Sequence, residues 1–245
     1  IIVFKNMIKN CKYVNWNEFT EVTILEKGIC EGKICPIKVT HNGKQYVLKE
    51  YDEKMNYGID YMIIDKCKEF FKLNHMNMEI IQSNCGLVKI DDSIDKYVDN
   101  CKIDDKECIY CVMDYWENIG DMRTYIDEVD IECIYECIKI IIFDGLFLSS
   151  DNIIRNILIN EKNELLSIDE NDLFGKTKLI FGRSPWCKKL KFRNIINQIV
   201  SDIEINKELI KNNVKNVFEM YNFDKYGVFQ YRIDNLNHII NIELK

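Results

Sequence analysis

SSDNIIRNILINEKNELLSID, running from Ser149 to Asp169, is the stretch on which the reading of this chain turns. Two short apolar runs, Ile157–Ile159 and Leu165–Ile168, flank Asn160–Glu164, which carries the turn residues Asn160 and Asn163. That pattern predicts a small hairpin. Asn156 stands at one end of it and Asp169, 13 residues later, at the other. An amide and a carboxylate are donors suited to magnesium, and Asp151, five residues before Asn156, supplies a further carboxylate of the kind that accepts a proton from an attacking hydroxyl.

Upstream, the sequence supplies the other parts that phosphoryl transfer needs. Glu21–Lys27 alternates, Gly28-Ile-Cys-Glu-Gly32 is a turn, and Ile34–Thr40 alternates again. Asn42-Gly43 is a strong short hairpin signal, and the strand after it, Gln45–Tyr51, contains Lys49. Residues 20–51 are thus expected to form a three-stranded antiparallel meander. A helix is expected over Tyr57–Leu73, with Ile59, Met62, Ile63, Cys67, Phe70 and Phe71 at spacings of three and four. Strand-like runs at Gly86–Ile90 and Cys108–Tyr115 follow, separated by an acidic connection through Asp91–Asp105. After Glu117 the chain turns helical: Asp121–Glu128, Asp130–Phe143 with an apolar face through Ile131, Ile134, Ile138 and Ile141, and most of Phe192–Glu243. The expected class is α+β. Residues 1–116 should hold a five-stranded sheet and one main helix, and residues 117–245 the helices and the small hairpin.

Taken in order, these features resemble the protein-kinase-like superfamily over nearly the whole chain. Val47-Leu-Lys49 is similar to its third-strand lysine motif. Cys111-Val-Met-Asp-Tyr-Trp116 resembles the fifth strand running into the hinge, with Met113 at the gatekeeper position. Asp151 and Asn156 resemble the D-x-x-x-x-N catalytic loop, and Ser167-Ile-Asp169 the metal aspartate of a DFG-type motif. Ser149-Ser150 replace His-Arg, Asp169-Glu-Asn replaces Asp-Phe-Gly, and neither GxGxxG nor APE is present. These departures resemble the atypical branch, that of actin-fragmin kinase and the phosphoinositide 3/4-kinases. The resemblance implies a bilobal fold and an ATP- and Mg²⁺-dependent kinase acting on protein Ser/Thr, the alternatives being a phosphoinositide kinase or a pseudokinase scaffold. Gly28 and Gly32 would cover the phosphates, Lys49 would grip them, and Met113, Asp114 and Tyr115 would border the nucleotide. Asp151 would be the catalytic base, and Asn156 and Asp169 would hold Mg²⁺. Asp60, Asp65 and Glu69 are the acids that the helix offers to Lys49, Asp65 being the central one.

Composition narrows the field. At 245 residues, 47% hydrophobic and 30% charged, the chain has enough apolar material for a core without disulfides. A net charge of −7 argues against a protein that coats nucleic acid. Eleven cysteines, an odd number at irregular spacings, read as reduced thiols of a cytoplasmic protein rather than a disulfide framework. Cys108 and Cys111 fall in a strand, where residues three apart face opposite ways, so they do not converge on zinc. No apolar run approaches the ~20 residues of a membrane helix. Against the acidic background, Lys176–Arg193 carries seven basic residues and no acidic one. It directly follows Asp169, so it is expected to meet an anionic partner, an acidic protein segment or a phosphoinositide head group, or else to dock on the acidic remainder of the chain.

Overall fold

The computed structural model describes residues 11–25, 36–50, 57–84, 107–149, 154–168, 173–174, 179–181 and 185–245. These form a mixed α+β protein with a six-stranded sheet, a three-stranded sheet and helices. They divide into two units, one within 1–59 and 76–116, the other within 60–75 and 117–245.

The first unit is built on the larger sheet. Its strands are β1 (Lys12–Tyr13), β2 (Thr20–Ile24), β3 (Ile37–His41), β4 (Lys44–Glu50), β5 (Met78–Asn84) and β6 (Glu107–Asp114), in the order β1-β5-β6-β4-β3-β2. The expected meander is there: β2 pairs antiparallel with β3, and β3 with β4. Asn42 and Gly43 both have positive φ, 52° and 76°, the two left-handed positions that close a tight hairpin. The sheet has six strands rather than the five expected. Two of the six, β1 and β5, are not among the expected strands, and β1 is a two-residue edge parallel to β5. The strand paired with β6 is Met78–Asn84, whereas the expected run Gly86–Ile90, like the Gly28–Gly32 turn and Asp91–Asp105, lies outside the described residues. One face of the sheet is covered by Val14, Trp16 and Phe19, which bury Val39, Leu48, Ile81, Tyr110 and Val112. Trp16 meets the rings of Phe19 at 5.5 Å and Tyr110 at 5.7 Å.

The second unit gathers around the helix Ile131–Leu146. Helix α1 (Tyr57–Phe70) contributes all but its first three residues to it. Then come the short α2 (Met122–Tyr125), α3 (Ile131–Leu146), α4 (Arg193–Met220), α5 (Tyr226–Asp234) and α6 (Leu236–Glu243). The side chain of Asp130 caps α3 by accepting the Cys133 amide at 2.8 Å. Ile134, Ile138 and Ile141 are buried as the spacing predicts, but Ile131, in the first turn, is 58% exposed. The end of α3 enters an aromatic cluster in which Phe147 meets Phe229 at 4.8 Å and Phe143 at 4.9 Å, and Phe143 meets Phe71 at 5.0 Å. The expected helix Asp121–Glu128 is confined to α2, and Gly120–Asp121 before it are held as strand β7 against β8 (Ile157–Ile159).

Gly145 marks where α3 comes closest to its neighbour. A Cβ there would lie 2.8 Å from the Cα of Ile180 and 2.9 Å from its Cγ2. Backbone cannot swing aside as a side-chain tip can, so Gly145→Ala is expected to destabilise the protein by ~1–3 kcal/mol despite alanine's better helix propensity. Urea denaturation measures this. A variant as stable as its parent would show that the segment at Ile180 yields freely.

Candidate active site

Strand alternation sorts the residues of the first unit. Leu48 and Val112 point into the covered face. Lys49 and its cross-strand partner Cys111 therefore share the opposite face, as do Val47 and Met113, which pair with each other. Ile80 and Met78 extend the same face through their pairing with Cys111 and Met113. Cys111, Met113 and Ile80 are buried, and Lys49 is half-buried. Lys49 and Met113, two of the expected nucleotide residues, thus stand on one face of adjacent strands, with the lysine's apolar stem among apolar neighbours. Asp114 lies past this row at the end of β6. Its carboxylate accepts from Lys44 Nζ at 2.7 Å and from Asn77 Nδ2 at 3.3 Å. The Tyr115 amide donates to the Gln45 carbonyl at 3.0 Å, and Lys38 Nζ stands 3.7 Å over its ring. The turn from β6 is fixed by these contacts.

In the second unit the small hairpin forms as read. Strand β8 (Ile157–Ile159) pairs with β9 (Leu165–Ser167), and β7 flanks β8. Asn160 organises the turn, its Oδ1 accepting the amides of Lys162 at 2.9 Å and Glu164 at 3.0 Å. At the open end, the Ile168 amide donates to the Asn156 carbonyl at 2.8 Å. Asn156 is thereby tied to the residue that precedes Asp169. An amide oxygen and a carboxylate are hard donors of the kind Mg²⁺ takes, so the residue types fit that ion. Asp151, Asp169, Gly28 and Gly32 themselves lie outside the described residues. Upstream, two residues past the end of α3, Leu148 has φ 51°, a left-handed conformation that a leucine adopts at a cost of ~1 kcal/mol. The Phe174 amide binds the Phe147 carbonyl at 2.9 Å.

Two side chains that the sequence did not single out, Lys68 and Asn74, hold the run after Asn156 together with Asp60, one of the acids expected to face Lys49. Lys68 of α1, fully buried, donates to the Ser167 carbonyl at 2.8 Å. Asn74, just past α1, donates to the Leu165 carbonyl at 2.8 Å, and Asp60 accepts the Leu173 amide at 3.2 Å. A lysine in an amphipathic helix gives no signal of burial, since its acceptor comes from 99 residues away.

The basic segment is partly used within the chain. Glu243, whose side chain is 2% exposed, accepts the amides of Ile180 at 2.6 Å and Phe181 at 2.9 Å, and Lys188 Nζ lies 4.0 Å from it. Arg193 donates to the Leu244 carbonyl at 2.8 Å. Lys189 and Lys191 are exposed. Lys176, Lys178 and Arg183 lie outside the described residues.

Among the described residues no group of three His, Cys, Asp or Glu is placed to hold a metal, and no helix is long and apolar enough to cross a membrane. Cys67, Cys133, Cys137 and Cys187 are free thiols. Burial pushes Cys133 up to about 11, and drives Cys67, Cys137 and Cys187 well above the ordinary 9.0. The unfolded chain therefore gives up these protons first as pH rises. Stability should be full below about pH 9 and fall above it, by up to ~1.4 kcal/mol per pH unit for each thiol still protonated in the native state. Urea midpoints across that range measure the fall, and a flat profile would contradict it.

Compared with models of protein families the chain matches none, and no curated protein is significantly similar to it.

Proposed function

We propose that the chain is an ATP- and Mg²⁺-dependent phosphotransferase, with the two-lobed protein-kinase-like fold of the atypical branch, that phosphorylates Ser or Thr of a protein. The observation that carries the reading is the closure of the β8–β9 hairpin by the Ile168–Asn156 hydrogen bond, which sets Asn156 beside the residue preceding Asp169. The shared face of Lys49 and Met113 on adjacent strands supports it from the other unit. In this reading the Gly28–Gly32 backbone amides cover the phosphates. Lys49 neutralises the α- and β-phosphates, and Met113, Asp114 and Tyr115 border the nucleotide. Asp151 orients the acceptor hydroxyl and takes its proton. Asn156 and Asp169 would hold the Mg²⁺, which offsets the charge on the transferring phosphoryl group.

The test is incubation with labelled ATP and a panel of proteins and phosphoinositides, alongside melting with Mg²⁺ and ATP. Nucleotide at 100 times its Kd should stabilise by ~2.7 kcal/mol. Transfer to a protein hydroxyl is expected. Label on a phosphoinositide would make it a lipid kinase, and Mg²⁺-dependent ATP binding without transfer a pseudokinase scaffold. No nucleotide response would overturn the reading.

The exposed Lys189 and Lys191 favour an acidic acceptor, and Lys188 is set apart from them by its pairing with Glu243. Lys189→Glu with Lys191→Glu should raise the acceptor KM, more at low salt than when charges are screened over ~8 Å. The Kd for ATP should stay put. A collapse of ATP affinity with an unchanged acceptor KM would remove this segment from substrate capture.

A further inference from the structure

Glu243 draws together pieces of chain that lie far apart in sequence. Its carboxylate accepts the amides of Ile180 and Phe181, and Lys188 Nζ lies 4.0 Å from it. Arg193, the first residue of α4, donates to the Leu244 carbonyl at 2.8 Å and so fixes the end of α6 beside the start of α4. Residues 179–181, the run Lys188–Arg193 and the last turn of α6 therefore meet at one place in the second unit.

Each of these pieces turns an aliphatic side chain outward there. Leu190 is 75% exposed, Ile242 58% and Leu179 50%, although Ile180, Phe192 and Glu243 next to them are buried. A single exposed leucine is ordinary, whereas several carried to one place mark a surface built for contact. The charge around them has one sign. Trp186–Ile195 holds Lys188, Lys189, Lys191 and Arg193 and no acid, and the one acid of α6 is Glu243, buried and turned to backbone amides. Lys189 and Lys191, on either side of Leu190 in the chain, are exposed. An acidic peptide would satisfy those lysines and offer nothing to the three aliphatic side chains. Anionic head groups over hydrocarbon serve both, the apolar side chains entering the acyl boundary and the lysines reaching back to the head groups.

We propose that this corner of the second unit docks on an anionic lipid bilayer, with Leu190, Ile242 and Leu179 entering the head-group boundary and Lys189 and Lys191 against the anionic head groups. Attachment is peripheral, a matter of lying on the membrane and not of crossing it. The inference does not depend on the phosphotransferase reading, since it needs no nucleotide. Where both hold, the acidic acceptor is one met at a membrane.

The experiment is flotation of the full chain with vesicles of phosphatidylcholine alone, and of phosphatidylcholine with phosphatidylserine, at low and high salt and without nucleotide. The parent is expected to float with the anionic vesicles only, and less of it at high salt. Leu190→Gln should weaken that binding about tenfold, because an aliphatic side chain no longer leaves water. Lys189→Glu with Lys191→Glu should weaken it about a hundredfold or more. Ile205→Gln is the control. Ile205 is more exposed still, but it follows Glu204 in the middle of α4, and its replacement should change nothing. All the substituted side chains are exposed, so parental melting temperatures are expected throughout. A parent that does not float with anionic vesicles, or floats equally with neutral ones, would overturn the proposal and leave the phosphotransferase reading standing. A Leu190→Gln protein that binds as its parent does would also overturn it, leaving charge attraction of the kind an acidic protein segment provides.

Discussion

Asp169→Asn is expected to cut Mg²⁺-dependent turnover by about a thousandfold or more, roughly 4 kcal/mol of transition-state stabilisation. The substitution keeps size and shape and would delete one negative charge from the proposed donor set, whose other member is an amide, Asn156. Magnesium is bound chiefly through carboxylates and phosphate oxygens, so an amide pair grips it poorly. The melting temperature without ligand should be unaffected, and the shift produced by ATP should lose its dependence on Mg²⁺. Both are read by melting with and without the ion, together with single-turnover transfer. Mg²⁺-dependent transfer at the parental rate would falsify the assignment of the metal site.

Lys49→Met should lower turnover by about a hundredfold, some 2.7 kcal/mol, with a far smaller effect on the Kd for ATP. In the proposed site the lysine would act on phosphates as their charge shifts, and adenine would be met by other residues. Methionine suits the place, because the face shared with Cys111, Met113 and Ile80 is apolar and accepts an unbranched stem. A fall in kcat at nearly constant ATP affinity is the diagnostic split. If turnover stays within about twofold, Lys49 is an ordinary strand lysine and phosphate gripping must come from another residue.

The elements that the sequence announced are those with a strong local signal. Asn42-Gly43 allows a left-handed turn at both positions, and the period of three and four over Arg193–Met220 leaves one apolar face for a helix to bury. In its first turn the buried residue is Ile196, while its neighbour Ile195 is only half-buried. Met78–Asn84 was illegible for a physical reason. Its adjacent Ile80 and Ile81 are both buried, so the strand lacks the alternation that marks a half-exposed one. Lys12–Tyr13 is too short to carry any pattern, and its pairing with Ile81 and Gln82 is decided at long range. In the candidate site, the sequence could place Lys49 and Met113 on strands and Asn156 at the mouth of the hairpin. Lys68, Asn74 and Glu243 were not legible, because each takes a backbone partner distant in the chain, and a backbone partner leaves no trace in residue identity.

Glu243 has a practical bearing on where this polypeptide is cut. It sits in the final turn of α6, yet its carboxylate anchors amides 63 and 62 residues earlier, at Ile180 and Phe181. A truncation that stops at Ile242, where the apolar pattern ends, would spare every core residue of α6 and still strip two buried N–H groups of their acceptor. The damage would surface near Lys188 and not at the trimmed end. A shortened protein that folds but handles acceptors poorly should therefore be judged by whether residue 243 was kept.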